Sequence, residues 1–199
     1  MTQTIAYTIE DRLYLNITDR CTLACRFCPK TLGSQQVHDY DLTLDHRPET
    51  QEVIDAIGNP TDYAEIVFCG YGEPTLRLTV LLEVATYIKE NGGKVRVNTD
   101  GLANLANKRD VLPEMAGLID SLSVSLNAQS AEVYERHCDP NLSGSYQAVL
   151  EFLQESTRYI PDVTATAING LDGVDIKGCE KLAKMCGVKF RQRELDVVG

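Results

Sequence analysis

The sequence lacks an excess of positive charge. Its 199 residues include 19 Lys and Arg against 29 Asp and Glu, which gives a formal net charge of −10. A broad surface field that attracts phosphate backbones is therefore absent. This balance argues against nucleic acid as a partner.

The sequence also lacks long apolar runs, linkers and low-complexity tracts. No apolar stretch approaches the roughly 20 residues that span a bilayer, and residues 1–11 lack the basic-then-apolar order of a signal peptide. We therefore expect a cytoplasmic protein without a membrane partner. Because 43% of the residues are hydrophobic and the composition shows no break, we expect one globular domain over residues 1–199.

The seven cysteines are an odd number, and three of them lie between positions 21 and 28. This pattern favours metal ligation in a reducing compartment over a disulfide framework. Thiolates are the usual ligands of iron–sulfur clusters, and a cubane needs one ligand for each of its irons. Cys21, Cys25 and Cys28 would leave one iron without a nearby thiolate, and an open coordination position lets a metal bind a substrate directly.

Two simpler metal sites compete with this interpretation. A structural zinc normally takes its ligands in two pairs, and the nearest further candidates, His38 and His46, stand at no standard spacing. A ferredoxin-type electron carrier needs another cysteine nearby. The remaining cysteines are scattered through predicted strands and helices, where they are usually small core residues: Cys69, Cys138, Cys179 and Cys186.

Short β-branched segments alternate with segments of helical period. The six predicted strands are 12–17, 64–69, 94–98, 121–126, 163–168 and 188–192. The predicted helices are 50–57, 78–91, 111–118, 145–159 and 175–186, with left-handed caps near Gly92 and Gly187. Such alternation requires parallel strands with right-handed crossovers, and these units are too few for a closed eight-unit barrel. We expect an α/β fold, an open partial (β/α)6 TIM-like barrel, with 30–47 as its one long irregular connection and a candidate lid.

The cysteine run itself is informative. Cys21-Thr-Leu-Ala-Cys25-Arg-Phe-Cys28, with an aromatic residue before the last cysteine, resembles the motif of the radical S-adenosylmethionine (SAM) superfamily. The resemblance implies one 4Fe-4S cluster on the three cysteines, with the amino and carboxylate groups of SAM chelating the remaining iron. One electron from the reduced cluster would break a sulfur–carbon bond of SAM and give a 5′-deoxyadenosyl radical. Phe27 would lie near the adenine.

The segment after the second predicted strand extends this resemblance. Gly70-Tyr-Gly-Glu-Pro74 is similar to the family's glycine-glycine-glutamate-proline motif, with Tyr71 in the place of the first glycine. Gly70 and Gly72 allow close backbone approach, and Glu73 can meet an ammonium group such as the SAM amine. In parallel α/β folds, ligands bind at this carboxyl edge of the strands.

Polar groups follow the next two strands, where the family places its ribose contacts. The candidates are Asn98, Asp100, Ser125 and Asn127. Residues 98–101 also read as an ordinary Asn-Thr-Asp-Gly turn. The resemblance further implies that Ile168, at the end of the fifth predicted strand, makes an apolar contact to adenine.

Three residues are candidates for the substrate side. Arg191 and Arg193 share one face of the last strand and could clamp an anionic group. The alternative is that they are solvated or paired with Glu194 or Asp196. His137 could act on the substrate, or it could cap the end of a helix.

Longer runs are similar to the TatD family-associated radical SAM proteins, namely 67–77, 97–103 and 123–128. That group is named for an association with TatD-type nucleases, so the resemblance implies radical chemistry and leaves the substrate open. We expect a radical SAM enzyme that acts on its own unidentified small-molecule or protein substrate. The alternatives are a glycyl-radical activase, an enzyme like 7-carboxy-7-deazaguanine synthase, and a non-enzymatic metal-binding module.

A basic spot surrounds the cysteines of this acidic protein. It consists of Arg20, Arg26 and Lys30. Complementary patches steer protein encounters, so we expect an acidic flavodoxin or ferredoxin to dock here as the electron donor.

Overall fold

A mostly parallel sheet of seven strands organises the computed structural model, which describes residues 3–195. Its strands lie side by side in the order in which they occur along the chain, and a two-stranded hairpin forms a separate sheet. The first two strands pair antiparallel and every later neighbour pair is parallel. The strands of the described chain are β1 (Ala6–Ile9), β2 (Arg12–Leu15), β3 (Gln36–Val37), β4 (Tyr40–Asp41), β5 (Glu65–Phe68), β6 (Val95–Thr99), β7 (Ser121–Ser125), β8 (Asp162–Asn169) and β9 (Lys189–Glu194).

Helices connect the parallel strands. They are α1 (Thr50–Ile57), α2 (Leu78–Glu90), α3 (Ala103–Asn107), α4 (Leu112–Met115), α5 (Ala131–Cys138), α6 (Ser145–Ser156) and α7 (Ile176–Met185). Within residues 3–195, β1 and β9 do not pair with each other, so the barrel is open. The expected open partial barrel is confirmed, and β1 adds an antiparallel edge strand that the sequence did not predict. Across the described residues, no helix combines the length and apolar character needed to cross a bilayer.

Local signals set the ends of several helices. Glu49 N donates to Glu52 Oε2 at 2.8 Å in a capping box that starts α1. Asp175 accepts a hydrogen bond from Lys177 N at 3.0 Å at the start of α7. Gly92 and Gly187 follow α2 and α7 with φ of 79° and 77°. The left-handed caps expected at these two glycines are therefore confirmed.

The helices differ from the predictions in three places, one of which is the five-residue helix α3, which was not predicted. The helix expected over 111–118 is only the single turn α4, which ends before Gly117 with its φ of 74°. The helix α5 was not predicted, because its apolar stripe is too short to show a clear period. Its buried residues are Val133, Tyr134, His137 and Cys138.

The two faces of the sheet have different characters. Along each strand, alternate side chains point to opposite faces. Residues such as Leu15, Phe68 and Val124 are buried in the main core with the helices. The other face, here named the lumenal face, carries the intervening positions, which include Tyr14, Val67, Arg96, Asn98, Ser123, Arg191 and Arg193. Most of these positions are polar, so this face is suited to bind a polar ligand.

The connection 30–47 covers one side of the lumenal face. It was expected to be irregular, yet it contains the hairpin of β3 and β4. Leu42, just after the hairpin, is 1% exposed and packs with Tyr7, Tyr14 and Val67. Asn16 Nδ2 donates to Leu42 O at 2.9 Å. The base of this connection is therefore packed against β1, β2 and β5.

Leu42→Ala is expected to lower the free energy of unfolding by about 2–5 kcal/mol, because it leaves a cavity among buried aromatic rings. Leu32→Ala, in the same connection but at a side chain that is 71% exposed, is the matched control and should change the free energy by less than about 0.5 kcal/mol. Urea unfolding followed by circular dichroism measures both variants. Equal and small effects would contradict the packing of this connection on the sheet.

Candidate active site

The three clustered cysteines lie on the loop that follows β2. Cys21, Cys25 and Cys28 are free and half-buried. Cys28 N donates to Cys25 O at 3.0 Å, which forms a turn between the last two thiols. The loop starts at the carboxyl end of a parallel strand, the edge where ligands of such sheets bind. The structure thus places the thiols where the sequence predicted a site.

Backbone hydrogen bonds hold this cysteine loop against the end of α5. Ala24 N donates to Cys138 O at 3.1 Å, and Arg26 N donates to His137 O at 2.9 Å. The ring of His137 is buried, and its Nε2 lies 2.7 Å from Asp172 O in the loop after β8. His137 lies in the last turn of α5, and this contact joins the helix to another loop, so its helix-end and substrate roles both stay predictions.

The donor chemistry of the loop fits an iron–sulfur cubane. Each thiolate of a cubane binds a different iron, so the sulfur atoms need not converge on one point. In the described part of the chain, no three His, Cys, Asp or Glu side chains surround a point that could hold a single metal ion. Burial and the charge of Asp100 raise the pKa of Cys21 to about 12. This thiol is therefore protonated at neutral pH, and metal binding would release its proton.

Cys138 is a neighbour of these thiols that the sequence did not single out. It is fully buried, as expected for a core cysteine. A hydrogen bond shared with Cys138, together with burial, raises the pKa of Cys25. Asn127 Nδ2 donates to Cys138 Sγ at 3.3 Å. Because α5 itself was not predicted, nothing in the sequence placed Cys138 beside the cysteine loop.

A buried glutamate ties two strand ends together. Glu73 is 3% exposed. Its carboxylate accepts hydrogen bonds from Thr75 N (3.0 Å), Thr75 Oγ1 (2.7 Å), Thr99 Oγ1 (2.8 Å) and Asp100 N (2.7 Å). Both carboxylate oxygens are thus engaged by the chain itself. A contact from Glu73 to the SAM amine stays a prediction.

Asp100 extends this network to the cysteine loop. It is buried, and one of its carboxylate oxygens accepts a hydrogen bond from the hydroxyl of Thr22, which follows Cys21. Burial, followed by the charge of Asp100, raises the pKa of Glu73 to about 8. Burial likewise raises the pKa of Asp100. The two carboxyl groups therefore share one water-poor space, where both cannot ionise freely.

The glycines after β5 allow a close approach within the protein. A Cβ at Gly70 would lie 2.3 Å from Asn16 Oδ1, and a Cβ at Gly72 would lie 2.3 Å from Arg20 O. The segment also bonds there, since Tyr71 N donates to Asn16 Oδ1 at 3.2 Å. The absent side chains thus let this segment lie against the chain that leads into the cysteine loop. Close approach to a ligand at these positions stays a prediction.

The remaining predicted cofactor residues lie at or near the same edge. Asn98 Oδ1 is buried and has no hydrogen-bond partner among residues 3–195. Ser125 is half-buried at the end of β7, and Asn127 follows in a left-handed conformation with φ of 61°. Ile168 is 6% exposed near the end of β8, and Phe27 is half-buried against the main core. The arrangement offers both polar and apolar contacts to a nucleoside.

Arginines line the lumenal face below this edge. Arg191 Nη2 lies 3.5 Å from Ser123 Oγ, and Arg193 Nε is buried without a hydrogen-bond partner in the described chain. Arg96 of β6 lies close enough for its charge to affect Arg191. Sequence reasoning missed Arg96, although its alternation with Asn98 could have placed both on one face.

Glu73 should make stability depend on pH. Its pKa is about 8 when folded, against an ordinary value of 4.5, so the folded state binds this proton more tightly than the unfolded state. The resulting stability is complete below pH 4.5 and is lost as pH rises toward about 8, by at most about 1.4 kcal/mol per pH unit. Urea unfolding across this pH range should show that the free energy of unfolding falls less steeply with pH in Glu73→Gln than in the wild type. The control Glu135→Gln, at an exposed carboxylate, should keep the wild-type slope. If Glu73→Gln kept the wild-type slope of unfolding free energy against pH, the raised pKa of Glu73 would be contradicted.

Comparison with known proteins connects this geometry to a family. Residues 15–186 match the model of the Radical SAM superfamily. The chain is 22% identical over 174 residues to a Methanocaldococcus jannaschii protein provisionally named a glycyl-radical enzyme activating enzyme, a match that covers 83% of this chain and 66% of the relative. It is 34% identical over 133 residues to GTP 3′,8-cyclase of Limosilactobacillus fermentum, covering 64% of this chain and 36% of the relative. The chain thus spans less than two thirds of the length of either relative.

Solved structures share the fold at low sequence identity. A structure of TYW1 with a lysine-pyruvate adduct has a TM-score of 0.67 at 15% identity, covering 94% of this chain and 66% of that chain. Streptococcus suis SuiB bound to S-adenosylmethionine has a TM-score of 0.68 at 12% identity, and the match covers 96% of this chain and 42% of that chain. Because the family model matches most of the sequence, this chain belongs to the radical SAM superfamily, a family of enzymes that implies an iron–sulfur cluster and SAM.

Proposed function

We propose that this chain holds one 4Fe-4S cluster on Cys21, Cys25 and Cys28 and binds SAM at the iron without a cysteine. When bound, the cluster supplies the electron that cleaves SAM, so that a 5′-deoxyadenosyl radical takes a hydrogen atom from the substrate. One observation carries this proposal: three free, half-buried thiols share a loop at the carboxyl edge of the sheet. Family membership argues against the alternative of a non-enzymatic metal-binding module.

Within this proposal, the chain positions and shields the cofactors. Phe27 and Ile168 offer apolar surface to the adenine. Ser125 and the unpartnered Oδ1 of Asn98 accept hydrogen bonds from the ribose. The backbone of 70–72 borders the methionine end. Three further side chains already form hydrogen bonds within the protein and hold these contacting groups in place, namely Glu73, Asp100 and Asn127.

Two classes of substrate are candidates, a small molecule and a partner protein. The relative named GTP 3′,8-cyclase favours a small molecule, and the relative named as an activating enzyme favours a glycyl-radical activase that acts on a partner protein. We propose the small molecule first, because polar side chains line the lumenal face. An enzyme like 7-carboxy-7-deazaguanine synthase would belong to this class.

Deuterium transfer separates the two candidates. Incubation with a deuterium-labelled small-molecule pool should place deuterium in 5′-deoxyadenosine. Incubation with glycyl-radical enzymes whose glycines are deuterated should leave 5′-deoxyadenosine without deuterium. The opposite result would favour the activase.

We also propose that an acidic flavodoxin or ferredoxin delivers the electron. Arg20, Arg26 and Lys30 are exposed around the cysteine loop. Leu32, which is 71% exposed, lies in the same turn, where its N donates to Cys28 O at 3.1 Å. An apolar centre with a charged rim fits a protein interface. We place the reaction in the reducing cytoplasm, because the described cysteines are all free thiols.

Cys25→Ala should abolish 5′-deoxyadenosine formation after anaerobic reconstitution with iron and sulfide, because the cluster loses one of its three ligands. Chromatography of the nucleoside products measures the yield. The matched control is Cys186→Ala, since this free cysteine lies at the end of α7, away from the cysteine loop. Wild-type yield from Cys25→Ala would contradict the assignment of this thiol to the cluster.

Reversing the charge of the basic spot should slow reduction by a protein donor. Arg26→Glu with Lys30→Glu is expected to lower the rate of reduction by flavodoxin at low salt by about tenfold or more, because complementary charge speeds encounter. The rate with dithionite should stay unchanged. The matched pair Lys177→Glu with Lys181→Glu, exposed on α7, should retain the wild-type rates. Equal slowing with both reductants would defeat the docking proposal.

A further inference from the structure

Three arginines converge on the lumenal face. Arg191 and Arg193 alternate along β9, and Arg96 lies on the same face of β6. The pKa of Arg191 is lowered by burial and by the charges of Arg96 and Arg193. The charges of Arg96 and Arg193 also reach the thiol of Cys69, which follows β5, the strand beside β6, and packs with Val67 of the lumenal face. These guanidinium groups therefore project into one space.

Nearby carboxylates do not balance these charges. Glu65 Oε2 lies 3.3 Å from Arg96 Nε, but it is shared with Arg12 Nε at 3.8 Å. Within residues 3–195, no carboxylate oxygen lies within 4.0 Å of a side-chain nitrogen of Arg191 or Arg193. Two guanidinium groups thus lack an anionic partner among these residues, Glu194 included, in a chain whose formal net charge is −10; the pairing with Asp196 lies outside the described residues. Several positive charges held close together favour the binding of an anion.

Hydrogen-bonding capacity is also unmet in this space. Arg193 Nε and Asn98 Oδ1 are both buried without a partner among the residues that the structure describes. Arg191 makes a long contact of 3.5 Å to Ser123 Oγ. Buried polar atoms normally find a partner, and the planar fork of arginine matches the oxygen atoms of carboxylate and phosphate groups. A bound oxyanion would accept hydrogen bonds from the two arginines, whereas Asn98 Oδ1 is an acceptor and is left to a hydroxyl donor such as the ribose.

We propose that the substrate is a small molecule that carries a carboxylate or phosphate group, and that Arg96, Arg191 and Arg193 bind this group on the lumenal face. The inference rests on the proposed function, because it names the class of molecule on which the radical acts. Arg193 is the central residue, since its Nε is buried and unpartnered. Arg96 is partly neutralised by Glu65 and lies on β6, with β7 and β8 between it and β9.

The test uses the full chain with its cluster assembled anaerobically, saturating SAM and no reductant. SAM then occupies the open iron, and no turnover occurs. Isothermal titration at low, constant ionic strength measures the binding of three probes, namely malonate, inorganic phosphate and uncharged malonamide. Malonate or phosphate should bind at one site per chain, and malonamide should not. The stronger of the two anions identifies the acidic group.

Arg193→Gln should weaken anion binding by about tenfold or more, because a charged hydrogen-bonding group is lost. Arg193→Lys should weaken it less, since it keeps the charge without the fork. Arg191→Gln, at a more exposed position, provides a second variant in case Arg193→Gln does not fold. The matched control is Arg136→Gln, on the outer surface of α5, where the arginine pairs with Glu132 and Asp172. The control should bind the anions as the wild type does.

Absence of anion binding in the wild type, or equal binding by the wild type and both glutamine variants, would overturn the inference. A parallel titration with SAM tests whether the arginines instead bind the carboxylate of SAM. If Arg193→Gln loses as much affinity for SAM as for the anion, the arginines bind the SAM carboxylate and the inference is wrong. The proposed function fails separately, when the reduced wild-type chain makes no 5′-deoxyadenosine.

Discussion

The hydrogen bonds around Glu73 and Asp100 hold the cysteine loop and the strand ends in one arrangement. Both carboxyl groups are buried, a costly placement that their hydrogen bonds from Thr22, Thr75 and Thr99 offset. Thr22 belongs to the cysteine loop, and Glu73 to the segment that follows β5. Movement of either segment would leave a buried carboxylate without partners. This network therefore preorganises the loop on which the proposed cluster depends.

The same sheet serves two purposes through its alternation. One face is apolar and packs against the helices, which gives the fold its core. The lumenal face carries arginine, serine and asparagine, and the connection 30–47 covers it beside β1 and β2. Because the sheet is open in the described chain, the polar face stays accessible. A stable scaffold and a polar binding surface thus arise from residues one position apart.

The sequence predicted the features that depend on local pattern. The six parallel strands, the glycine caps at 92 and 187, and the three cysteines on one loop are all found in the structure. Features set by distant contacts were missed, such as the edge strand β1, the short helix α5 and the hairpin in 30–47. The roles of particular side chains also depend on such contacts. Cys138 meets the cysteine loop through α5, and Glu73 is engaged by Thr99 and Asp100, which lie far from it in sequence.

Electron paramagnetic resonance of the anaerobically assembled and reduced protein, with and without SAM, tests the central claim most directly. If three cysteines hold a cubane with one iron open, the spectrum should be that of a reduced 4Fe-4S cluster, and SAM should change it by binding that iron. A protein that assembles with zinc instead, or a cluster spectrum that SAM leaves unchanged, would contradict the account.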